Sequence, residues 1–120
     1  MPQVALIDDE PLVRESFARL LMSREYETVC FASSEAFLDS EDKHEHDCLV
    51  VDFRLPGMNG CELIKELRSI QIETPAILLS GNIDENIASL LSGLARVQTL
   101  NKPCLARDLF EVVETSIAAA

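Results

Sequence analysis

Five side chains have types and positions that suit chemistry on a phosphoryl group. They are Asp8 and Asp9 in LIDDEP, Asp52 in LVVDFRLPGMNG, Ser80 in ILLSG and Lys102 in LNKP. Each stands at or just past the end of a short apolar run, where a polar group does nothing to stabilise a buried strand. Taken singly, each has a plain reading. Asp8 or Asp9 could cap a helix opening at Pro11, Ser80-Gly81 could be a turn, and Lys102 could be a surface lysine. On one rim, the five would bring together three carboxylates, a hydroxyl and an ammonium. Carboxylates held close together oppose one another's ionisation. A hard divalent cation relieves that repulsion, and Mg2+ with carboxylate and backbone oxygens fits the residue types. Phosphate is the natural further ligand. Asp52 could then attack phosphorus and form an aspartyl phosphate. The transferred oxygens would be balanced by the cation, Lys102, the Ser80 hydroxyl and backbone N–H groups of the nearby loops.

Whether the five converge depends on the elements that carry them. Five strand-like runs alternate with helical patterns: VALI (4–7), ETVCF (27–31), CLVV (48–51), AILL (76–79) and VQTL (97–100). The first, third and fourth are continuously apolar, as strands covered on both faces are. Between them lie amphipathic stripes: Val13, Phe17, Leu20 and Leu21 after Pro11; Ala36, Phe37 and Leu38 after a cap at Ser33 or Ser34; Leu63, Ile64 and Leu67; Ile87, Leu90, Leu91 and Leu94; Leu105, Leu109, Val112, Val113 and Ile117. The order is (βα)5, and right-handed crossovers then require an α/β doubly wound parallel sheet with helices on both faces. In such a sheet the crevice lies at the carboxyl ends of the strands, where all five side chains stand.

The chain has 120 residues, enough for one domain with one core. No apolar run is long enough to span a bilayer, and MPQVALIDDE lacks the features of a signal peptide, so a cytoplasmic protein without membrane contact is expected. Ten basic against 21 acidic residues give a formal charge of −11, which opposes direct nucleic-acid binding. The four cysteines form no C-x-x-C pair; Cys30 and Cys48 lie in strand-like runs and are expected to be buried thiols. His44 and His46 in KHEHD could hold a metal, but a polar loop explains them equally well.

Over essentially its whole length the sequence resembles the CheY-like receiver domain of two-component response regulators. The residues that carry the likeness are the acidic pair Asp8-Asp9, Asp52 as phosphoacceptor, Ser80 closing the fourth strand, and Lys102-Pro103. The resemblance implies a flavodoxin-like fold with strand order 2-1-3-4-5. It implies phosphotransfer from a sensor histidine kinase or a phosphotransfer protein of a phosphorelay. The metal ligands it implies are Asp9, Asp52 and the main-chain carbonyl of Arg54, with Asp8 acting through water. A cis Lys102-Pro103 bond is expected both from the low cost of cis X–Pro, about 0.5–1 kcal/mol, and from the likeness. Ser80 and position 99 would form the switch, working the face made by helix 4, strand 5 and helix 5, through which a phosphorylated homodimer would also form. Receivers commonly carry a Tyr or Phe three residues before the lysine, where this chain has Thr99.

Residues 1–120 read as one receiver domain with no output domain, either a single-domain regulator or a segment of a longer one. SSEAFL is similar to receivers joined to helix-turn-helix transcription factors. Such a domain is no enzyme in the ordinary sense, since it catalyses only its own phosphotransfer and dephosphorylation. Three rivals fit less well. A haloacid-dehalogenase phosphatase needs an acid two residues after Asp52, where Arg54 stands. A flavodoxin-type electron carrier needs a phosphate-cradling loop where DDEP would repel phosphate. A pseudo-receiver would not be expected to keep Asp9, Asp52, Ser80 and Lys102 together.

Overall fold

Aliphatic runs sealed on both faces become the central strands, and the less apolar runs become the edges. In the computed structural model, which describes all of Met1–Ala120, the elements alternate without exception. They are β1 (Gln3–Ile7), α1 (Pro11–Ser23), β2 (Glu27–Phe31), α2 (Ser34–Asp39), β3 (Cys48–Asp52), α3 (Gly60–Ser69), β4 (Ala76–Ser80), α4 (Glu85–Leu91), β5 (Val97–Asn101) and α5 (Ala106–Ala118). The strands form one parallel sheet in the order β2-β1-β3-β4-β5. This is the flavodoxin-like (βα)5 arrangement. Every residue of β3 and β4 is buried, whereas the edge strands β2 and β5 are partly open.

Period-two alternation sends neighbouring strand residues to opposite faces. Ala5, Ile7, Leu49, Val51, Ala76 and Leu78 pack against Phe37 of α2, Cys61, Leu63, Ile64 and Leu67 of α3, and Ile87 of α4. Val4, Leu6, Cys48, Val50, Ile77 and Leu79 pack against Leu21 of α1 and Leu109 and Val113 of α5. The sheet is thereby clamped between two apolar layers, and its strand ends are held in fixed register.

Four expectations need correction. Cys30 is exposed, because β2 is an edge strand with one face open; Cys48 is buried, and burial pushes its thiol up to about 12. α4 ends at Leu91, so Leu94 lies in the following turn, and Leu90 is 46% exposed instead of joining the core. Leu105 is the exposed residue before α5 and not part of its buried stripe. His46 faces no ligand cluster: it is buried with its ring centroid 5.6 Å from that of Phe37 and 6.3 Å from that of Phe31. Between the two candidate caps of α2, Ser33 makes the bond, accepting the Ala36 N–H at 3.0 Å, and Ser34 is buried.

At the amino ends of the strands, Arg68 ties three segments together. Its Nε donates to the Ala95 carbonyl at 2.9 Å, Nη1 to Ile72 at 2.7 Å, and Nη2 to Thr74 at 2.8 Å and Arg96 at 3.3 Å. That end of the molecule is structural. The opposite end carries the charged rim.

Candidate functional site

The strand register delivers the rim residues. Asp8 follows β1, Asp52 is the last residue of β3, Ser80 the last of β4, and Lys102 follows β5. Carboxylate oxygens of Asp8, Asp9 and Asp52 lie within 4.8 Å of one another. Lys102 Nζ donates to Asp52 Oδ1 at 3.1 Å and lies 3.8 Å from Asp8 Oδ2. A polar cleft of about 520 Å³ is lined by Asp9, Glu10, Asp52, Arg54, Ser80, Gly81, Asn82 and Lys102.

Each group is placed by local bonds. Asp8 is buried; its Oδ1 accepts the Glu10 N–H at 2.9 Å and its carbonyl accepts from Arg14 Nη1 at 2.7 Å. It thus serves the entry to α1 without being the residue at the cap position, which is Glu10. Asp9 is the more open of the pair and lines the cleft. Asp52 is held by the sheet, and the next residue, Phe53, donates its N–H to the Leu79 carbonyl at 2.8 Å. Lys102 donates its own N–H to the Ser80 carbonyl at 2.8 Å, and the Lys102–Pro103 peptide bond is cis.

Burial pushes the Asp52 carboxyl upward from its usual value. The hydrogen bond and charge of Lys102 pull it back, and the negative charges of Asp8 and Asp9 push it up again. The site is therefore short of positive charge. Asp8 Oδ2 is a buried carboxylate oxygen with no hydrogen-bond partner. Clustered hard oxygen donors with one orphaned lone-pair site suit a cation such as Mg2+ and give nothing to a soft metal. Asp9 and Asp52, with Arg54 lining the same cleft, are the residues that could hold it.

The cleft gathers Asp9, Asp52, Arg54, Ser80 and Lys102, and the Asp8 carboxylate, buried beside it, completes the acidic cluster. Thr99 lies apart: it is exposed on β5, in register with Leu78. Sequence reasoning missed two neighbours. Asn101 Oδ1 accepts the Ile83 N–H at 3.3 Å, fixing the loop after Ser80. Glu35 Oε2 accepts the Met58 N–H at 2.9 Å, fixing the loop after Asp52. Both are contacts between distant segments that periodicity cannot reveal. Asn101 alone had a signal, its place between the strand run and Lys102.

The response regulator receiver domain model matches residues 4–114, and the chain belongs to that family. The transcriptional regulatory protein FixJ of Bradyrhizobium diazoefficiens is 32% identical over 117 residues, which cover 98% of this chain and 57% of that protein. FixJ of Azorhizobium caulinodans is 37% identical over 100 residues, 83% of this chain and 47% of its own length. The chain thus spans about half the length of these curated relatives. The crystal structure of FixJ-N matches with a TM-score of 0.89 at 29% identity, covering 100% of this chain and 96% of that one. The protein is a receiver domain of the two-component signalling class.

Proposed function

We propose that Asp52 is the phosphoacceptor, working with a divalent cation held by Asp9, Asp52 and the Arg54 carbonyl. The observation that carries this reading is the Lys102 ammonium 3.1 Å from Asp52 Oδ1, in a cluster with the Asp8 and Asp9 carboxylates at an open cleft. An Asp52 carboxylate oxygen forms the new bond to phosphorus. The bond from phosphorus to the donor breaks, and the donor leaves with its electron pair and picks up a proton. Mg2+, when bound, supplies positive charge to the carboxylates and the phosphoryl oxygens. Lys102 then balances a second phosphoryl oxygen, and Ser80 turns its hydroxyl to a third. The same groups hold the acyl phosphate open to water, so the domain catalyses only its own phosphotransfer and dephosphorylation.

The donor we infer is the phosphohistidine of a sensor histidine kinase or of a phosphotransfer protein, in the cytoplasm. The output is the face of α4, β5 and α5, either toward a second copy of this chain or toward an attached transcriptional domain, a reading favoured by the FixJ likeness. Incubation with acetyl phosphate and Mg2+, followed by intact mass, tests the chemistry. One phosphoryl adduct is expected, base-labile, absent in Asp52→Asn and suppressed by EDTA. An adduct that persists in Asp52→Asn, or forms fully in EDTA, refutes the assignment.

A further inference from the structure

The loop between β3 and α3 carries the Arg54 carbonyl, and its ends are firmly placed. The Phe53 N–H donates to Leu79 at 2.8 Å, and the Gly60 N–H donates to the Phe53 carbonyl at 3.0 Å. Glu62 Oε1 takes the Asn59 N–H at 2.9 Å, while Asn59 Oδ1 takes the Glu62 N–H at 2.8 Å. From Arg54 to Met58, the one hydrogen bond made by the backbone is Met58 N–H to Glu35 Oε2, at 2.9 Å. Glu35 is 23 residues away on α2. Its base does not drift, because α2 is capped by Ser33 and pinned by the fully buried Phe37. Gly57 has φ +74, and a Cβ there would meet Glu35 Oε2 at 2.5 Å. The loop is therefore shaped to admit this carboxylate at its crown. The bond from Met58 also lowers the Glu35 carboxyl from its ordinary value, as acceptance by the charged form does.

We propose that Glu35 is a positioning residue for the divalent-cation site. It tethers the crown of the β3–α3 loop and thereby fixes the backbone at Arg54, which lines the cleft with Asp9 and Asp52. The proposal rests on the ligand set given under Proposed function. A freed loop spends only part of its time in the binding geometry, and apparent affinity falls by that fraction. Outer contacts that orient ligands are typically worth about 10- to 100-fold in metal affinity. A solvent-open tether belongs at the low end, so about tenfold weaker Mg2+ binding is expected on its loss.

The test is Mg2+ titration by calorimetry, with the carbonyl carbon resonance of Arg54 followed by NMR, and thermal unfolding in EDTA as a check on folding. Glu35→Ala and Glu35→Asp should bind Mg2+ about tenfold more weakly; the shorter aspartate keeps the charge but cannot reach Met58. Glu35→Gln, which keeps an acceptor oxygen at the right distance, should bind within about twofold of the parent protein. If Glu35→Asp binds normally while Glu35→Gln is weakened, the effect is one of charge and the tether is refuted. If all three Glu35 variants bind normally while Asp9→Asn binds weakly, Glu35 has no positioning role and the ligand set stands. If Asp9→Asn binds as tightly as the parent, or the Arg54 resonance does not respond to Mg2+, the ligand set itself is wrong. Should Glu35→Ala fail to fold, the Asp and Gln variants decide the matter.

Discussion

Gly60 opens α3 directly beneath the end of β3, and replacing it with alanine should disturb both stability and the site. A Cβ at Gly60 would lie 2.5 Å from the Asp52 carbonyl oxygen and 2.7 Å from Leu78 Cδ1. Leu78 is fully buried, and the oxygen belongs to the backbone of a strand paired on both sides, so neither can simply turn away. Overpacking of this kind costs about 1–3 kcal/mol. Alanine recovers up to about 1 kcal/mol of helix preference, less at a first-turn position. At roughly 2.1 cal/mol/K per residue, a 120-residue domain loses about 4 °C of melting temperature per kcal/mol. Gly60→Ala should therefore melt about 2–10 °C lower. It should also slow phosphorylation, because relief requires α3 and the end of β3 to separate, and Asp52 stands at that end. The matched control is Gly81→Ala: nothing lies within 4 Å of a Cβ there and no positive φ is involved, so its melting temperature should not fall. Circular-dichroism melts in EDTA and adduct formation from acetyl phosphate read the two effects. If Gly60→Ala melts with the parent protein, or if Gly81→Ala falls as far, the close approach of α3 to Asp52 is not what constrains this corner.

Arg68→Ala should destabilise the fold by about 2–4 kcal/mol, since it strips charged donors from four carbonyls at once; urea unfolding should show it with little change in Mg2+ affinity. His46 is buried with both ring nitrogens unpartnered, and burial lowers its pKa despite the charges of Asp42, Glu45 and Asp47. The unfolded chain therefore binds the proton first: stability from neutral His46 is full above the unfolded value of 6.5 and is lost as pH falls through the lower folded value. The parent protein should thus lose more stability between pH 7 and pH 5 than His46→Leu does; equal losses would refute the account. Lys102→Met should raise the Asp52 carboxyl further, because the group now holding it down is removed; a carboxyl-carbon NMR titration in EDTA that moves the other way would refute the pairing.

The fold was legible because its periodicities are strong. β1, β3 and β4 are unbroken aliphatic runs covered on both faces, and the residue after each run is the one the site uses. Errors arose where burial on one side gives way. Cys30 has the same neighbours in sequence as a core thiol, but β2 has no strand beyond it. Leu94 keeps the helical spacing of Ile87 and Leu91, yet the helix stops at Leu91 and Leu94 packs from the turn. The site divided in the same way. Asp8, Asp9, Asp52, Ser80 and Lys102 stand at strand ends, whose place any parallel sheet dictates. Glu35 and Asn101 hold loops, and loop shape depends on contacts between distant segments. The Ser33 cap of α2 is written locally and was legible, whereas the equally local Asn59-x-x-Glu62 capping box went unread.

Thr99 sharpens the question of how a phosphoryl group on Asp52 would be felt at β5. In the unphosphorylated site the Ser80 hydroxyl is engaged with Asn82, accepting its N–H at 3.2 Å and donating to its carbonyl at 3.4 Å. Both bonds are long, so turning the hydroxyl toward a new anion gives up little and gains a charge-assisted bond worth about 1.5–3 kcal/mol. The Ser80 backbone cannot follow, since the Lys102 N–H holds its carbonyl at 2.8 Å. The displaced part must be the loop from Gly81 to Asp84, and its next attachment is the Ile83 N–H on Asn101 Oδ1. Asn101 is on the exposed edge strand, two residues after the exposed Thr99. A large aromatic ring at position 99 would have added burial to the shifted state; a threonine adds none. A shift from 1:99 to 99:1 needs about 5.5 kcal/mol of preference for one state. One charge-assisted bond gives about a quarter to a half of that, so on the proposed output reading the remainder would come from a partner bound to the α4–β5–α5 face. On this reasoning phosphorylation alone would leave the domain in both states, and its partner would complete the change.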